Sequence, residues 1–295
     1  MDLRYFFVAI LKMDALKTIL FNHSESAVKV DQADRLSSYG KDPQNLIDKK
    51  DNTAESVTWT STEFGTSTDP KRNTISVDDE NKTVTLTAGS KDGSETGGKI
   101  TGSQDGMSYY YTSIDPSKNF DLSAEVKVNY FEKATPDKQA GFGIMARDTI
   151  GPAGSVAISN SNMCLVGGYQ GVVESVFRNG VVDSSGTGAK MEDVHKFANR
   201  PANDGTATYK LRLRKTNTGY IASVDDGTEI TYYRPKQLEI LDKDHIYLGF
   251  FAARVASITV SNINYLKKKN RNLSLKTLIA LMPFLYELKP DIYFD

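Results

Sequence analysis

Disulfides play no part in whatever this chain folds into. Its only cysteine, Cys164, lies in an apolar run (MCLVGG) and has no partner within the chain. A lone cysteine in such a run reads as core packing. Histidine is almost as scarce. His23, His195 and His245 are the only three, scattered at no metal-ligand spacing. The HxxxH, CxxC, GxSxG and phosphate-loop patterns are missing. GSKDGSETGG lacks the GKS/T ending and the following helix, so it is turn material and no phosphate cradle. The net charge is −1, without the basic excess that a general nucleic-acid binder needs. No apolar run makes a convincing membrane span. Tyr5 to Leu11 is cut by Lys12 and Asp14, and LSLKTLIALMPFLYELKP is charged and broken by Pro283. The first run follows Arg4 as an export-signal core would, but no small-x-small cleavage site follows closely. It reads as an appended amphipathic helix over residues 1–22.

What is abundant points to sheet. There are 15 tyrosines against one tryptophan, Trp59, in a chain rich in Gly, Thr and Ser and poor in helix formers. With 39% hydrophobic and 25% charged residues the chain is globular. Its 295 residues are enough for one large all-β domain or two small ones. The stretch NFDLSAEVKVNYFEKATPDKQAGFGIMARD carries the strongest signal. Phe120, Leu122, Ala124, Val126, Val128 and Tyr130 alternate with polar residues, which is a strand with one dry and one wet face. Gly141 to Arg147 differs: Phe142, Ile144 and Ala146 form one face, Gly143, Met145 and Arg147 the other, and neither is properly polar. Such a strand is covered on both sides, or its second face meets a ligand.

Strand signals recur at short spacing from the start of VTWTSTEFG onward. Thr74–Asp78 and Thr83–Ala88 read as a hairpin. Lys99–Gly102, Met107–Ile114, Cys164–Tyr169 and Val172–Arg178 follow, with Asn179-Gly180 as a tight type I′ turn into Val181-Val182. Residues 183–206 read as a long loop carrying His195, Lys196, Phe197 and Arg200. Thr208–Arg214, Gly219–Val224, Glu229–Tyr233, His245–Ala252 and Ser257–Asn264 complete the set. The pattern predicts an all-β fold, an antiparallel β-sandwich of the jelly-roll type, over residues 56–265. Residues 1–55 are expected to be a helix and polar loop with a short strand near Ala27 to Val30. Residues 266–295 are expected to be a lysine-rich linker and an apolar helix.

The series GKITGSQDGMSYYYTSID, NFDLSAEVKVNYF, QAGFGIMARD, DGTATYKLRLRKTNTGYIASVD and HIYLGFFAARVASITVSNI resembles a concanavalin-like jelly-roll accessory module. Such modules occur in secreted bacterial pectate lyases of the pectate-disaccharide-lyase type. The resemblance covers about residues 56 to 265 and includes no catalytic signature. In that family the lyase chemistry belongs to a separate parallel β-helix, for which no repeat is present here. The resemblance therefore implies a non-catalytic carbohydrate-binding module for pectin or polygalacturonate, extracellular or at the cell surface. The expected partner is an acidic plant polysaccharide and the expected state a monomer, with no nucleic acid and no membrane span.

The expected ligand-binding residues are Tyr110, Met145, Arg147, Tyr169, Phe177, Arg178, Tyr247, Phe251 and Arg254. Tyr110 is opposite in parity to Tyr109 and Tyr111. Met145, Arg147, Tyr247 and Phe251 point away from Phe142, Ile144, Ile246, Leu248 and Phe250. Tyr169, Phe177 and Arg178 join from neighbouring strands. Aromatic faces stack on the C–H face of a sugar ring, and arginine forks grip carboxylates bidentately. The bland alternative is that these are central strands covered by loops. An enzyme reading needs two carboxylates facing across a groove, with Glu125, Asp148 and Glu174 the available ones. A third reading is a structural spacer, which predicts a face filled by the protein's own side chains. No cofactor is expected. Asp78, Asp79, Asp225 and Asp226 are conceivable calcium ligands, but aspartates are also common in hairpin turns for backbone reasons.

Overall fold

Strands from distant parts of the chain alternate between two layers. In the computed structural model the described residues are 57–101, 104–132, 137–151, 160–183 and 188–268. One sheet contains β1 (Thr60–Gly65), β4 (Lys99–Ile100), β5 (Asp105–Ile114), β7 (Gly141–Arg147), β8 (Met163–Tyr169), β9 (Val172–Asn179), β10 (Lys190–Ala198) and β14 (Ile246–Ala253). Its order is β1-β5-β14-β7-β8-β9-β10, with β4 paired to β5. The other contains β2 (Asn73–Asp78), β3 (Thr83–Ala88), β6 (Asn119–Phe131), β11 (Thr208–Lys215), β12 (Tyr220–Val224), β13 (Ile230–Tyr232) and β15 (Ala256–Lys268), in the order β13-β12-β11-β6-β15-β3-β2. The pairings are antiparallel. The protein is the antiparallel β-sandwich that the spacing of its strands predicts. The helices expected over 1–22 and in 266–295, and the strand expected near Ala27, lie outside the described residues.

The core between the sheets follows the alternation. Phe120, Leu122, Ala124, Val126 and Val128 of β6 face Phe142, Ile144 and Ala146 of β7 and Ile246, Leu248 and Phe250 of β14, all within one buried cluster. Burying each large side chain contributes about 1.5–3 kcal/mol. One position departs from the predicted parity. Tyr130 pairs with Ser257 but Val128 pairs with Ile258, so Asn129 is an extra residue in β6. This bulge turns Phe131 into the core in place of Tyr130. The Tyr130 hydroxyl donates to the carbonyl of Gly89 instead, at 2.5 Å.

Two loop expectations are corrected. The two-residue hairpin turn lies at Gln170-Gly171, where both φ angles are positive, and joins β8 to β9. No strand follows Asn179-Gly180 directly; pairing with β9 resumes at Lys190. His195, Lys196 and Phe197 therefore sit on an edge strand, β10, and not in a loop. Its register slips twice, between Glu192 and His195 and between Lys196 and Ala198, which erases the period-two signal from the sequence. β15 also runs three residues past the expected boundary at Tyr265, to Lys268.

Candidate functional site

The inner strands β7, β8, β9 and β14 of the first sheet are buried on both faces. Its outer face, turned away from the second sheet, carries a second apolar cluster that includes Phe64, Met107, Tyr109, Met145, Leu165 and Phe251. Cross-strand pairing puts these side chains in rows. One row runs Glu174, Gly167, Gly143, Phe251, Tyr109. Gly143 and Gly167 adopt φ of +136° and +147°, and a Cβ at either would strike a backbone carbonyl oxygen of the neighbouring strand. Glycine at both positions lets β7 and β8 pair through this stretch and leaves a flat floor beside Phe251.

Two guanidiniums and one carboxylate are sealed into this face. Arg147 and Arg178 both bind Asp105, and all three side chains are fully buried. Arg147 Nη2 donates to Asp105 Oδ2 at 3.2 Å and Arg178 Nη1 to Oδ1 at 2.9 Å, with a further contact from Arg178 Nη2 to Oδ2. The remaining donors are also engaged. Arg147 Nε donates to the Thr149 carbonyl (2.6 Å). Arg178 Nε donates to Ser161 (2.7 Å) and its Nη1 to Thr101 (2.8 Å). The Arg147 guanidinium lies 4.8 Å from the Phe64 ring centroid. Burial pulls the Arg147 pKa down, and the Asp105 charge opposes that. These two arginines spend their forks on the protein itself. Asp105 was not among the expected site residues, yet it is the counter-charge that makes the cluster tolerable.

The other expected residues divide. Met145, Tyr169 and Phe251 share the outer face with Arg147 and Arg178 and are buried there. Burial pushes the Tyr169 hydroxyl up to about 12. Phe177 faces the opposite way, into the core between the sheets, against Tyr220 and Tyr232. Tyr110 also faces inward: it pairs with Phe250 and stacks on Trp59 at 5.2 Å, with 11° between the rings. The tyrosines of MSYYYT that share the outer face are thus Tyr109 and Tyr111, which reverses the expected choice. Arg254 lies past the end of β14, where its backbone bridges to Gly97.

One part of the outer face opens. A row of rings runs from Phe64 to Tyr109 (6.2 Å), Tyr111 (5.3 Å), Tyr247 (5.7 Å) and His245 (6.1 Å). It starts fully buried at Phe64 and Tyr109. Tyr111 and Tyr247 are partly exposed and His245 is exposed. Asp242 holds the outer end. Its Oδ2 accepts from the Tyr247 hydroxyl at 2.8 Å and lies 3.2 Å from His245 Nδ1. The Tyr109 hydroxyl fixes the inner end by donating to the carbonyls of Met145 and Tyr247. Of the expected residues only Tyr247 belongs to this open end. Tyr111, His245 and Asp242 were missed, although the shared parity of Tyr109 and Tyr111 marks them as one face.

The carboxylates do not pair across a groove among the described residues. Glu125 lies exposed on the other sheet and accepts from Asn262 at 2.9 Å. Asp148 is held by the backbone and side-chain N–H groups of Asn162 (2.9 and 2.6 Å), and burial lifts it to about 6. Glu174 is buried, with no partner for Oε1, and burial lifts it to about 7. Three of the conceivable calcium ligands have other partners. Asp78 accepts from the backbone N–H and side chain of Asn81, Asp225 accepts from Lys210 N–H, and Asp226 pairs with Lys210 Nζ at 2.6 Å. Among the described residues no group of three or more His, Cys, Asp or Glu side chains has metal-binding geometry. No helix there is long and apolar enough to cross a membrane.

Comparison with known proteins adds a family. The pectate disaccharide-lyase N-terminal domain matches residues 57–270. Pectate lyase L of Thermoclostridium stercorarium is 40% identical over 215 residues, covering 70% of this chain and 17% of that protein. Pectate disaccharide-lyase of Dickeya chrysanthemi is 31% identical over 191 residues, covering 56% of this chain and 25% of that one. The chain therefore spans a quarter or less of these relatives' length. Among solved structures, a lectin from Bauhinia forficata in complex with GalNAc aligns at 10% identity and a TM-score of 0.42, covering 72% of this chain and all of that one.

Proposed function

This chain belongs to the family of pectate disaccharide-lyase N-terminal domains, and from that premise we propose that it is a non-catalytic carbohydrate-binding module. Its ligand in this reading is a pectin-type acidic polysaccharide, held outside the cell near a separate lyase domain. The module corresponds to residues 56–265 together with the last three residues of β15, to Lys268. The observation that carries the reading is the aromatic row that emerges from the buried face at Tyr111, Tyr247 and His245. Partly exposed, pre-fixed rings offer a sugar ring apolar area at little cost in side-chain entropy. Asp242 supplies an acceptor for hydroxyls beside them.

A non-catalytic role is supported by how Asp105 and Asp148 are engaged. Asp105 is neutralised by two arginines and Asp148 is tied to Asn162. A general acid and base need positions across an open groove instead. A second reading, a spacer within a larger protein, has its own supporting observation. Met145, Arg147, Tyr169, Arg178 and Phe251 are buried, so most of the outer face is filled by the protein's own side chains.

Affinity electrophoresis in polygalacturonate and in neutral glycans separates the two, run with calcium and with chelator and combined with an assay for unsaturated uronide. Retardation without product, lost in Tyr111→Ala and Tyr247→Ala, supports the binding module. Unchanged mobility in every gel establishes the spacer, and formation of product overturns the non-catalytic reading.

A further inference from the structure

The two sheets end in the edge strands β1 and β10, and β13 and β2. Three of these are blunted. β10 slips register twice, and β13 is three residues long. β1 carries Glu63 opposite Ser108, whose hydroxyl reaches the Thr87 carbonyl of the other sheet, so a carboxylate points inward from that edge. Irregular pairing, short length and inward charge all keep an edge from recruiting another strand. β2 has none of these devices. Its six residues, Asn73–Asp78, pair with β3 without a slip and include no proline and no lysine. Among the described residues no strand pairs with its other side.

One hydrogen bond fixes which groups of β2 are free. Gly89 N–H donates to the Arg72 carbonyl at 2.9 Å, which makes Arg72 and Gly89 a hydrogen-bonded pair of the ladder. Thr74, Ser76 and Asp78 then turn their main-chain groups toward β3, and Asn73, Ile75 and Val77 turn theirs away. Asn73 N–H accordingly bonds back to the Asp69 carbonyl at 2.7 Å. The N–H and C=O groups of Ile75 and Val77 lie along the open edge, and the Val77 side chain beside them is 45% exposed. The turns that flank the strand carry opposite charge. Lys71 and Arg72 precede it; Asp79 and Glu80 follow it. Arg72 is held by Asp69 at 3.2 Å. Lys71, Asp79 and Glu80 are exposed and have no ion-pair partner among the described residues.

A second copy of β2, laid antiparallel about an axis at Ser76, answers each of these features. Ile75 of each copy exchanges main-chain hydrogen bonds with Val77 of the other, and the two apolar side chains meet on one face. The basic turn of each copy lies against the acidic turn of the other. A parallel arrangement would bring like charges together. We infer that β2 is a self-association edge, through which two copies of this chain join their second sheets into one continuous sheet with twofold symmetry. The state differs from the expected monomer, and the inference does not depend on the carbohydrate-binding reading. Six residues of strand bury little area, so the dimer is reversible and forms with rising concentration.

Sedimentation velocity on the full chain, from about 1 μM to about 1 mM, tests it. The expected result is a monomer–dimer equilibrium within that range, with slower amide exchange at Ile75 and Val77 in the concentrated sample. Val77→Pro removes an edge N–H that the ladder with β3 does not use. It is expected to keep the fold and to weaken association at least tenfold. Lys71→Glu and Glu80→Lys lie in exposed turns and test the edge independently of any effect of proline on folding. Each is expected to weaken association about fivefold, since each reverses two solvated contacts per dimer. An equimolar mixture of these two variants is expected to restore it, because the mixed dimer regains opposite charges at both turns. A chain that stays monomeric over the whole range overturns the inference. So does a dimer indifferent to Val77→Pro and to both charge reversals, which then joins through another surface. Association that the charge reversals weaken and the mixture does not restore overturns the antiparallel pairing.

Discussion

Replacing Asp105 by asparagine removes one negative charge and almost no volume, so its effect isolates the buried charge cluster. In the wild type the carboxylate takes three guanidinium contacts with no exposure to water. The amide retains one acceptor oxygen and turns an NH2 group toward cations. Two guanidiniums then stay buried without their counter-charge. Breaking a buried pair in this way costs about 3–5 kcal/mol, and here one carboxylate serves two partners. A domain of this size loses about 2–4 °C of melting temperature per kcal/mol. The expected shift is therefore about 6–20 °C, and the loss itself is a large share of a typical stability of about 5–15 kcal/mol. Scanning calorimetry with a urea titration reads it. The exposed pair Lys210–Asp226, with side chains 48% and 59% accessible, serves as the control, and Asp226→Asn there is expected to cost at most about 1 kcal/mol. The triple change Asp105→Leu, Arg147→Met, Arg178→Met removes every charge at once and is expected to recover most of the loss. An Asp105→Asn domain melting within about 2 °C of wild type would refute the reasoning, because two buried cations would then be stable without that partner.

Further expectations concern acidity, backbone and the open aromatic end. Burial raises Glu174 from 4.5 to about 7 and Asp148 from 3.8 to about 6. Both groups hold a proton more tightly folded than unfolded, so their ionisation opposes folding above about pH 7. That opposition fades as the pH falls through the folded values toward 4.5. Glu174→Gln is expected to flatten the melting temperature between pH 5 and 8 and to raise it at pH 8; an unchanged pH profile counts against the burial argument. Gly143→Ala and Gly167→Ala each force a side chain into a neighbouring carbonyl at strongly positive φ, and a loss of about 2–4 kcal/mol in urea unfolding is expected. Tyr247→Phe breaks the hydrogen bond to Asp242 but keeps the ring. Polygalacturonate retardation should fall at most about threefold in that variant and tenfold or more in Tyr247→Ala; equal losses would assign the binding to the hydroxyl.

The sandwich was legible in the sequence because its long central strands obey period two. β6, β7 and β14 were placed almost to the residue, since each sends one regular apolar face into the core between the sheets. Legibility failed where backbone geometry broke the period. The extra residue at Asn129 exchanged Tyr130 for Phe131, and two register slips hid β10 inside what reads as loop. The site was harder. Periodicity separates two faces but does not say which rings are covered, so Met145, Arg147 and Phe251 were correctly grouped and yet lie in a second core. Tyr111 and His245 were overlooked because their value comes from partial exposure, which depends on strands far away in sequence. Asp105 was invisible for a related reason: its two partners lie 42 and 73 residues away.

The order in which strands enter the sheets has a consequence in time. β14 lies between β5 and β7 in one sheet, and β15 lies between β3 and β6 in the other. The last two strands described are thus the central planks of both layers. During synthesis the strands from β1 to β13 all emerge before either plank exists, and until then each layer is two separated half-sheets with open edges. Long-range closure of this kind is slow, and unpaired edges invite association with other chains. Neither layer of the sandwich can therefore close until β14 and β15 have been made.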